Sequence, residues 1–199
     1  MPVRTDLADG AWIDLWPALV PDPDGALLAA LAAELPLHAE TYRMMGREVQ
    51  SPRLVSWHGD PDTAYAYSGV YHEPAPWTPR LAELRARVEE TTGLGFNSVL
   101  VNLYRDGQDS MGWHSDAEPE IGPSVTDRWV ASLSLGHPRR FVLSHKKTRA
   151  RHEFELGNGT LLVMRGTTQT NYRHSVPRTA RPVGPRLNLT FRHIVPRAR

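Results

Sequence analysis

His114, Asp116 and His174 are the residues in this 199-residue chain whose types most clearly suggest chemistry. Two imidazoles and one carboxylate are the ligand set of many mononuclear Fe(II) sites, and they leave coordination positions open for a cosubstrate and dioxygen. On an extended strand His114 and Asp116 would point the same way, whereas Ser115 would point elsewhere. Because a His-x-Asp triplet alone is more often a solvated turn, the assignment depends on what the rest of the chain supplies.

A run near the C-terminus would supply a cationic strand face. Residues 186–192 alternate strictly, so a strand there separates polar from apolar side chains. One face would carry Arg186, Asn188, Thr190 and Arg192, and the other Leu187, Leu189 and Phe191. Guanidinium groups suit bidentate binding of a carboxylate, which an iron with open positions needs as a ligand. The alternative is an exposed sheet face with solvated arginines.

A second alternating run, residues 98–104, lies just upstream of the first histidine of the set. It would place Asn102 and Tyr104 on one strand face. A tyrosine in such a strand is otherwise an ordinary core residue, and Asn102 beside it favours the functional interpretation. Two polar strand faces would then flank the metal ligands.

Composition limits the class of protein. The chain has a formal net charge of +1 and no cysteine. It therefore forms no disulfide or thiolate metal site, which leaves imidazole and carboxylate as ligands. No apolar run is long enough to span a bilayer, and the N-terminus has no secretory pattern. We expect a soluble, cytoplasmic protein that acts as a monomer.

Positive charge is concentrated between His137 and His152. This segment contains no acid, and its six basic residues are Arg139, Arg140, Lys146, Lys147, Arg149 and Arg151. Such a segment can neutralise phosphates and make nucleic-acid binding depend on salt. A solvated hairpin tip is the alternative.

The hydrophobic pattern predicts helices first and strands afterwards. One helix is expected between an N-cap at Asp22 and a stop at Pro36, and a second between Thr78 and Gly93. From residue 96 onward the pattern is typical of short strands separated by turns. The strands are predicted at 98–104, 129–135, 140–144, 160–165, 171–176 and 185–194. Many short strands favour a sandwich or barrel over a parallel sheet.

The order of these motifs resembles that of the AlkB family of 2-oxoglutarate- and iron-dependent dioxygenases. The matching segments are residues 96–107 (FNSVLVNLYRDG), His114-Ser115-Asp116, His174-Ser175 and residues 186–192 (RLNLTFR). They lie in order over roughly residues 50 to 194. Within the family the chain is most similar to the DNA-repair branch that includes the vertebrate nuclear homologues.

The resemblance implies a mainly β (α+β) fold, a double-stranded β-helix or jelly roll with two or more helices flanking one sheet. It implies one dioxygenase domain over 1–199, in which 1–95 provide helices and a nucleotide-recognition lid and 96–195 the catalytic core. His114, Asp116 and His174 would hold Fe(II). The implied reaction is oxidative demethylation of N-alkylated bases such as 1-methyladenine and 3-methylcytosine in DNA. Dioxygen and 2-oxoglutarate would be consumed, and succinate, carbon dioxide and formaldehyde would be formed.

Site roles follow from the same resemblance. Arg186, Asn188 and Tyr104 would surround the distal carboxylate of 2-oxoglutarate, whereas Arg192 and Asn102 would lie near its metal-bound end. Thr190 completes this polar face. The residues implied to contact the substrate are Tyr65, Tyr67, Ser68, Glu118, Met44, Met45 and Arg53.

The substrate roles have structural alternatives. Tyr65 and Tyr67, expected to stack on a flipped base, would also suit one side of a packed strand. The two methionines, expected to fill the gap in the base stack, are typical core filler. Glu118, expected at the base edge, could be a surface carboxylate.

Two departures from the family pattern affect the expected substrate range. Ala117 stands where the family has a second acid, and Asn171-Tyr172 replaces an aromatic-rich pair. An AlkB-like demethylase of RNA or protein, and a binding module without catalysis, remain alternatives to a DNA demethylase.

Overall fold

Two antiparallel sheets form the framework of the protein. The computed structural model describes residues 1–44, 47–61, 63, 65–67, 70–118, 120–121 and 128–195. The larger sheet has seven strands, in spatial order β1 (Val3–Asp6), β2 (Ala11–Trp16), β13 (Thr160–Gly166), β10 (Val130–Gly136), β15 (Arg186–Arg192), β8 (Ser98–Tyr104) and β5 (Leu54–Gly59). The smaller sheet has four strands, in the order β12 (Arg151–Leu156), β11 (Arg139–His145), β14 (Tyr172–Val176) and β9 (Met111–His114).

The remaining elements are short hairpins and helices. The hairpins pair β3 (Thr41–Met44) with β4 (Arg47–Gln50), and β6 (Tyr65–Tyr67) with β7 (Val70–His72). The helices are α1 (Ala26–Glu34), α2 (Pro79–Thr92) and α3 (Thr168–Asn171), with a 3-10 turn at Ala8–Gly10. Every pairing between the named strands is antiparallel. The mainly β jelly roll expected from the sequence is confirmed.

Two hydrophobic clusters lie on opposite faces of the larger sheet. The outer cluster joins α1 and α2 to the sheet through residues such as Leu31, Leu81 and Leu189. The inner cluster fills the space between the sheets with Ile13, Phe141 and others. Because successive strand residues point to opposite faces, one strand contributes apolar side chains to the outer cluster and polar ones to the interior.

Local sequence signals account for the helix ends. Thr78 caps α2 by accepting a hydrogen bond from the Leu81 amide at 3.3 Å, and Gly93 ends it in the left-handed conformation. Helix α1 begins at Ala26, four residues later than the predicted cap at Asp22. The Asp22 carboxylate still accepts from the Leu27 and Leu28 amides at 2.9 and 3.0 Å. Asp22 therefore accepts hydrogen bonds from backbone amides in the first turn of α1, although it lies before the helix.

The predicted strands from residue 98 onward are confirmed, with ends shifted by at most two residues. The pattern did not indicate β1, β2, β5 or β12. Three of these belong to the larger sheet and come from residues before 96, so that sheet includes part of the segment expected to flank the core. Among the described residues, no helix is both long and apolar enough to cross a membrane.

Gly159 lies in the left-handed conformation (φ 75°) where β13 approaches the chain near Val20. A Cβ there would clash with the Val20 carbonyl oxygen, whereas one on Gly93 (φ 68°) would contact nothing within 4 Å. Both substitutions to alanine strain the backbone. We expect Gly159→Ala to lower the free energy of unfolding by about 1–3 kcal/mol more than Gly93→Ala, because overpacking is added. Urea unfolding measures both; equal losses would contradict the close approach.

Candidate active site

His114, Asp116 and His174 come together at one end of the space between the sheets. Their ligand atoms lie within 4.8 Å of one another. His114 ends β9 and stands directly opposite His174 on β14, with ring centroids 4.2 Å apart. Asp116 lies beyond the end of β9, so the prediction that one strand carries both His114 and Asp116 is wrong. The chain leaves the sheet at Ser115 and still returns the carboxylate to the histidines.

The histidines are held in the neutral form that a metal requires. Burial lowers the pKa of His114. Burial, followed by the positive charge of a protonated His114, lowers the pKa of His174 to about 3. The Nδ1 of His114 lies 2.9 Å from the Gly112 carbonyl oxygen. When that nitrogen carries the proton it donates to this carbonyl, which leaves Nε2 as the ligand atom.

Asp116 is ionised although it is buried. Burial alone would raise its pKa, but Arg192, with the two histidines, holds the pKa at about 2. Arg192 Nη2 donates to Asp116 Oδ1 at 2.6 Å. The other oxygen, Oδ2, accepts no hydrogen bond among the described residues and lies 3.5 Å from His174 Nε2. A buried anionic oxygen without a donor, facing two neutral imidazoles, fits a divalent metal ion.

The predicted polar face of β15 points into the same space. Its neighbours in register are Asn102 and Tyr104 on β8, opposite Asn188 and Arg186. The two polar strand faces predicted from alternation therefore adjoin. They line one cavity together with the metal-binding residues.

Arg186 is an unusually buried cation. It is 1% exposed, and burial lowers its pKa to about 10 although Tyr104 opposes the shift. Nη2 donates to Ser134 Oγ at 2.8 Å and to Asn188 Oδ1 at 2.7 Å. Nε and Nη1 are buried and have no hydrogen-bond acceptor among the described residues. A buried guanidinium with two unused donors fits a carboxylate that enters the cavity.

Asn188 and Thr190 continue this network. Asn188 Oδ1 also accepts from Ser132 Oγ at 2.8 Å, and Asn188 Nδ2 donates to Thr190 Oγ1 at 2.8 Å. Asn102 Oδ1 accepts from Arg53 Nε at 2.7 Å, and Arg53 is itself buried. Arg53, expected to contact substrate, thus lies against a residue expected to contact cosubstrate.

The structure describes the other residues expected to contact the substrate to different extents. Glu118 is partly buried, and burial, with the nearby Asp116 charge, raises its pKa. Its Oε2 accepts no hydrogen bond among the described residues. For Met44, Tyr65 and Tyr67 the structure describes the backbone alone, in β3 and β6. Met45 and Ser68 lie outside the described residues.

Sequence reasoning missed three polar residues of the site. Ser132 and Ser134 on β10 contact Asn188 and Arg186, and the alternation of that strand could have revealed them. Gln169 on α3 accepts a hydrogen bond from the Asp116 amide at 2.9 Å. No periodicity marks Gln169, because α3 has only four residues.

Fewer side chains of the basic segment between His137 and His152 are available to contact phosphates than its composition suggests. Arg139 is buried and donates to the carbonyl oxygens of Asp106, Asp109 and Pro177. Arg140 pairs with Glu153 at 3.5 Å. Lys146 Nζ donates to two carbonyl oxygens of α3. Arg139 therefore does not contribute to the expected phosphate contact, because its donors are used inside the fold.

The sequence and the fold are similar to those of known proteins. Residues 19–192 match the model of the 2OG-Fe(II) oxygenase superfamily. The chain is 39% identical to human alpha-ketoglutarate-dependent dioxygenase alkB homolog 3, over 85% of this chain and 61% of that protein. It is 40% identical to mouse DNA oxidative demethylase ALKBH2, over 77% of this chain and 66% of that protein. The chain thus spans about two thirds or less of the length of these relatives.

A solved structure supports the fold. The structure of OsALKBH1 has a TM-score of 0.67 and 19% identity, and it covers 94% of this chain and 100% of its own. The chain therefore belongs to the 2OG-Fe(II) oxygenase superfamily, as an AlkB-like member of this group of dioxygenases that use Fe(II), 2-oxoglutarate and dioxygen.

Proposed function

We propose that this protein is an oxidative demethylase that restores N-alkylated bases in DNA, with 1-methyladenine and 3-methylcytosine as typical substrates. The observation that carries the proposal is the pairing, in one cavity, of the His-Asp-His cluster with the buried Arg186 guanidinium. One half suits Fe(II) and the other suits the carboxylate of 2-oxoglutarate. The name of the mouse relative, DNA oxidative demethylase, supports the substrate class.

His114, Asp116 and His174 would hold the iron beside the cavity that Arg186 also lines. The bound iron would supply, with 2-oxoglutarate and dioxygen, the oxidation that removes the N-methyl group as formaldehyde. Arg192 keeps Asp116 ionised, so the carboxylate does not need to lose a proton to bind metal. The protein's part is orientation and charge, as in other cofactor enzymes.

The cosubstrate would lie along the polar face of β15. Arg186 would bind its distal carboxylate with the two donors that are otherwise unused, and Tyr104 and Asn188 flank that position. Ser134 and Asn188 fix the guanidinium through Nη2, so the other donors are already oriented. Such preorganisation favours binding because little rotamer entropy is lost.

Nucleic acid would lie over the β11–β12 hairpin as well as at the cavity mouth. Lys147 and Arg149 are exposed, and the structure gives their side chains no ion pair with a described residue. Arg151 is also exposed, and its guanidinium lies over the ring of Trp113, which precedes His114. Exposed cations on this hairpin suit contact with phosphates of the strand that carries the modified base.

The function is tested with oligonucleotides that carry 1-methyladenine, 3-methylcytosine or an etheno adduct in single-stranded DNA, duplex DNA and RNA. We expect equal release of succinate and formaldehyde, with loss of the methyl mass from the DNA. Asp116→Asn, which removes the ligand charge, should bind the same oligonucleotides without turnover.

The other outcomes discriminate among alternatives. Demethylation of RNA alone, or of a methylated peptide alone, would replace the proposed substrate. Tight oligonucleotide binding by the native protein without succinate release would favour a binding module.

Arg186→Ala is expected to weaken 2-oxoglutarate binding by about 2–5 kcal/mol, because a buried carboxylate loses a charge-assisted contact. Calorimetric titration of the Mn(II)-loaded protein with 2-oxoglutarate measures the loss. Arg181→Ala, which truncates an exposed arginine, serves as the control and should leave binding unchanged. An unaltered cosubstrate requirement in Arg186→Ala would refute the assignment.

Lys147→Gln is expected to weaken binding to all methylated oligonucleotides alike. A lost phosphate contact should reduce the slope of log affinity against log salt by roughly 0.7–0.9. Arg140→Gln removes one charge from an arginine already paired with Glu153 and should change the slope less. Equal slopes for the two variants would place the strand elsewhere on the surface.

A further inference from the structure

Asp116 occupies a stretch of chain that no strand supports. β9 ends at His114, and residues 115–118 lie outside any helix or strand. The position of the carboxylate must therefore be set by contacts from other parts of the molecule. Arg192 binds one carboxylate oxygen, Oδ1, but an ion pair to the tip of a side chain does not fix the backbone that carries it.

Two buried side chains hold that backbone. Gln169 Oε1 accepts from the Asp116 amide at 2.9 Å, and Arg128 Nη1 donates to the Ala117 carbonyl oxygen at 2.9 Å. Gln169 is 0% exposed. Its Nε2 donates to Met164 Sδ at 3.2 Å, which sets the orientation of the amide and points Oε1 toward Asp116.

The helix that carries Gln169 is itself fixed to the framework. Thr168 Oγ1 donates to the carbonyl oxygen of Arg165 on β13 and lies 3.3 Å from that of Trp12 on β2, which can share the same hydrogen. Lys146 Nζ donates to the carbonyl oxygens of Gln169 and Thr170 at 3.1 and 2.9 Å. Helix α3 is thus held by the larger sheet and by the β11–β12 hairpin of the smaller one.

We propose that Gln169 is a positioning residue for the metal site. By fixing the Asp116 amide it fixes the direction of the Cα–Cβ bond, and Arg192 then sets the rotation of the carboxylate. Oδ2 is left facing His174, at 3.5 Å from its Nε2. The inference rests on the metal site of the proposed function and deepens it, because it assigns a role to a residue that touches neither metal nor cosubstrate.

A purely structural role for Gln169 predicts a different result. A buried amide that only satisfies its own hydrogen bonds would affect folding stability when replaced, with no selective effect on metal affinity. Thr168 offers the comparison, since it is 1% exposed, lies in the same helix and bonds only to carbonyl groups away from Asp116. Thr168→Val removes those bonds and keeps the shape.

The experiment titrates Co(II) into the metal-free protein, without 2-oxoglutarate or oligonucleotide, and follows the visible absorption bands. We expect Gln169→Leu to lower Co(II) affinity on the order of 10- to 100-fold, the usual effect of losing a partner of a metal ligand, and to alter the bands. Thr168→Val should lower the melting temperature and leave both affinity and bands unchanged. If Gln169→Leu does not fold, Gln169→Met, which retains length and flexibility, replaces it.

Native affinity and bands in the folded Gln169 variant would overturn the proposal. An equal loss of affinity in Thr168→Val would also overturn it, because the effect would then follow from weakening α3. Failure of the proposed function would give a different result, because the native protein would bind Co(II) with the expected dependence on Gln169 and show no demethylation.

Discussion

The ion pair between Arg192 and Asp116 is the contact on which the site depends. At 2.6 Å it joins β15 of the larger sheet to the loop that follows β9 of the smaller one, and both side chains are buried. Removing one member of a buried pair leaves an uncompensated charge and typically costs roughly 3–5 kcal/mol. The pair therefore links the two sheets beside the metal-binding residues and keeps the carboxylate ionised.

The Arg192–Asp116 ion pair is possible because β15 has one apolar face and one polar face. Leu187, Leu189 and Phe191 pack into the outer cluster with α1 and α2, and this packing stabilises a strand whose other face is polar. The polar face carries Arg186 as well as Arg192, so two cations point into the interior from one strand. The interior tolerates them because Asp116 neutralises one and Tyr104, Ser134 and Asn188 surround the other. Packing on the apolar face of β15 thus stabilises the strand that carries the two arginines on its other face.

Periodicity in the sequence predicted those parts of the site that lie on strands. The alternation at 98–104 and 186–192 placed Asn102, Tyr104, Arg186 and Asn188 correctly on adjoining faces. It wrongly placed Asp116 on the same strand as His114, because a triplet does not reveal where a strand ends. Charge counts misjudged Arg139, since only the fold shows that three carbonyl oxygens meet its guanidinium. Gln169 gave no signal, because its role comes from a contact 53 residues away in the chain.

Strand register constrains the residues proposed to hold metal and cosubstrate more tightly than the residues proposed to contact the base. The residues proposed to hold metal and cosubstrate lie on strands or are fixed by buried contacts, so their geometry follows from sheet register. Of the residues expected to meet the base, Tyr65 lies on the short strand β6 before α2 and Glu118 on the irregular stretch after β9, and neither segment has a long alternating pattern. Selection can change such segments without disturbing the buried ion pair. A shared metal site with a variable substrate range is the expected consequence.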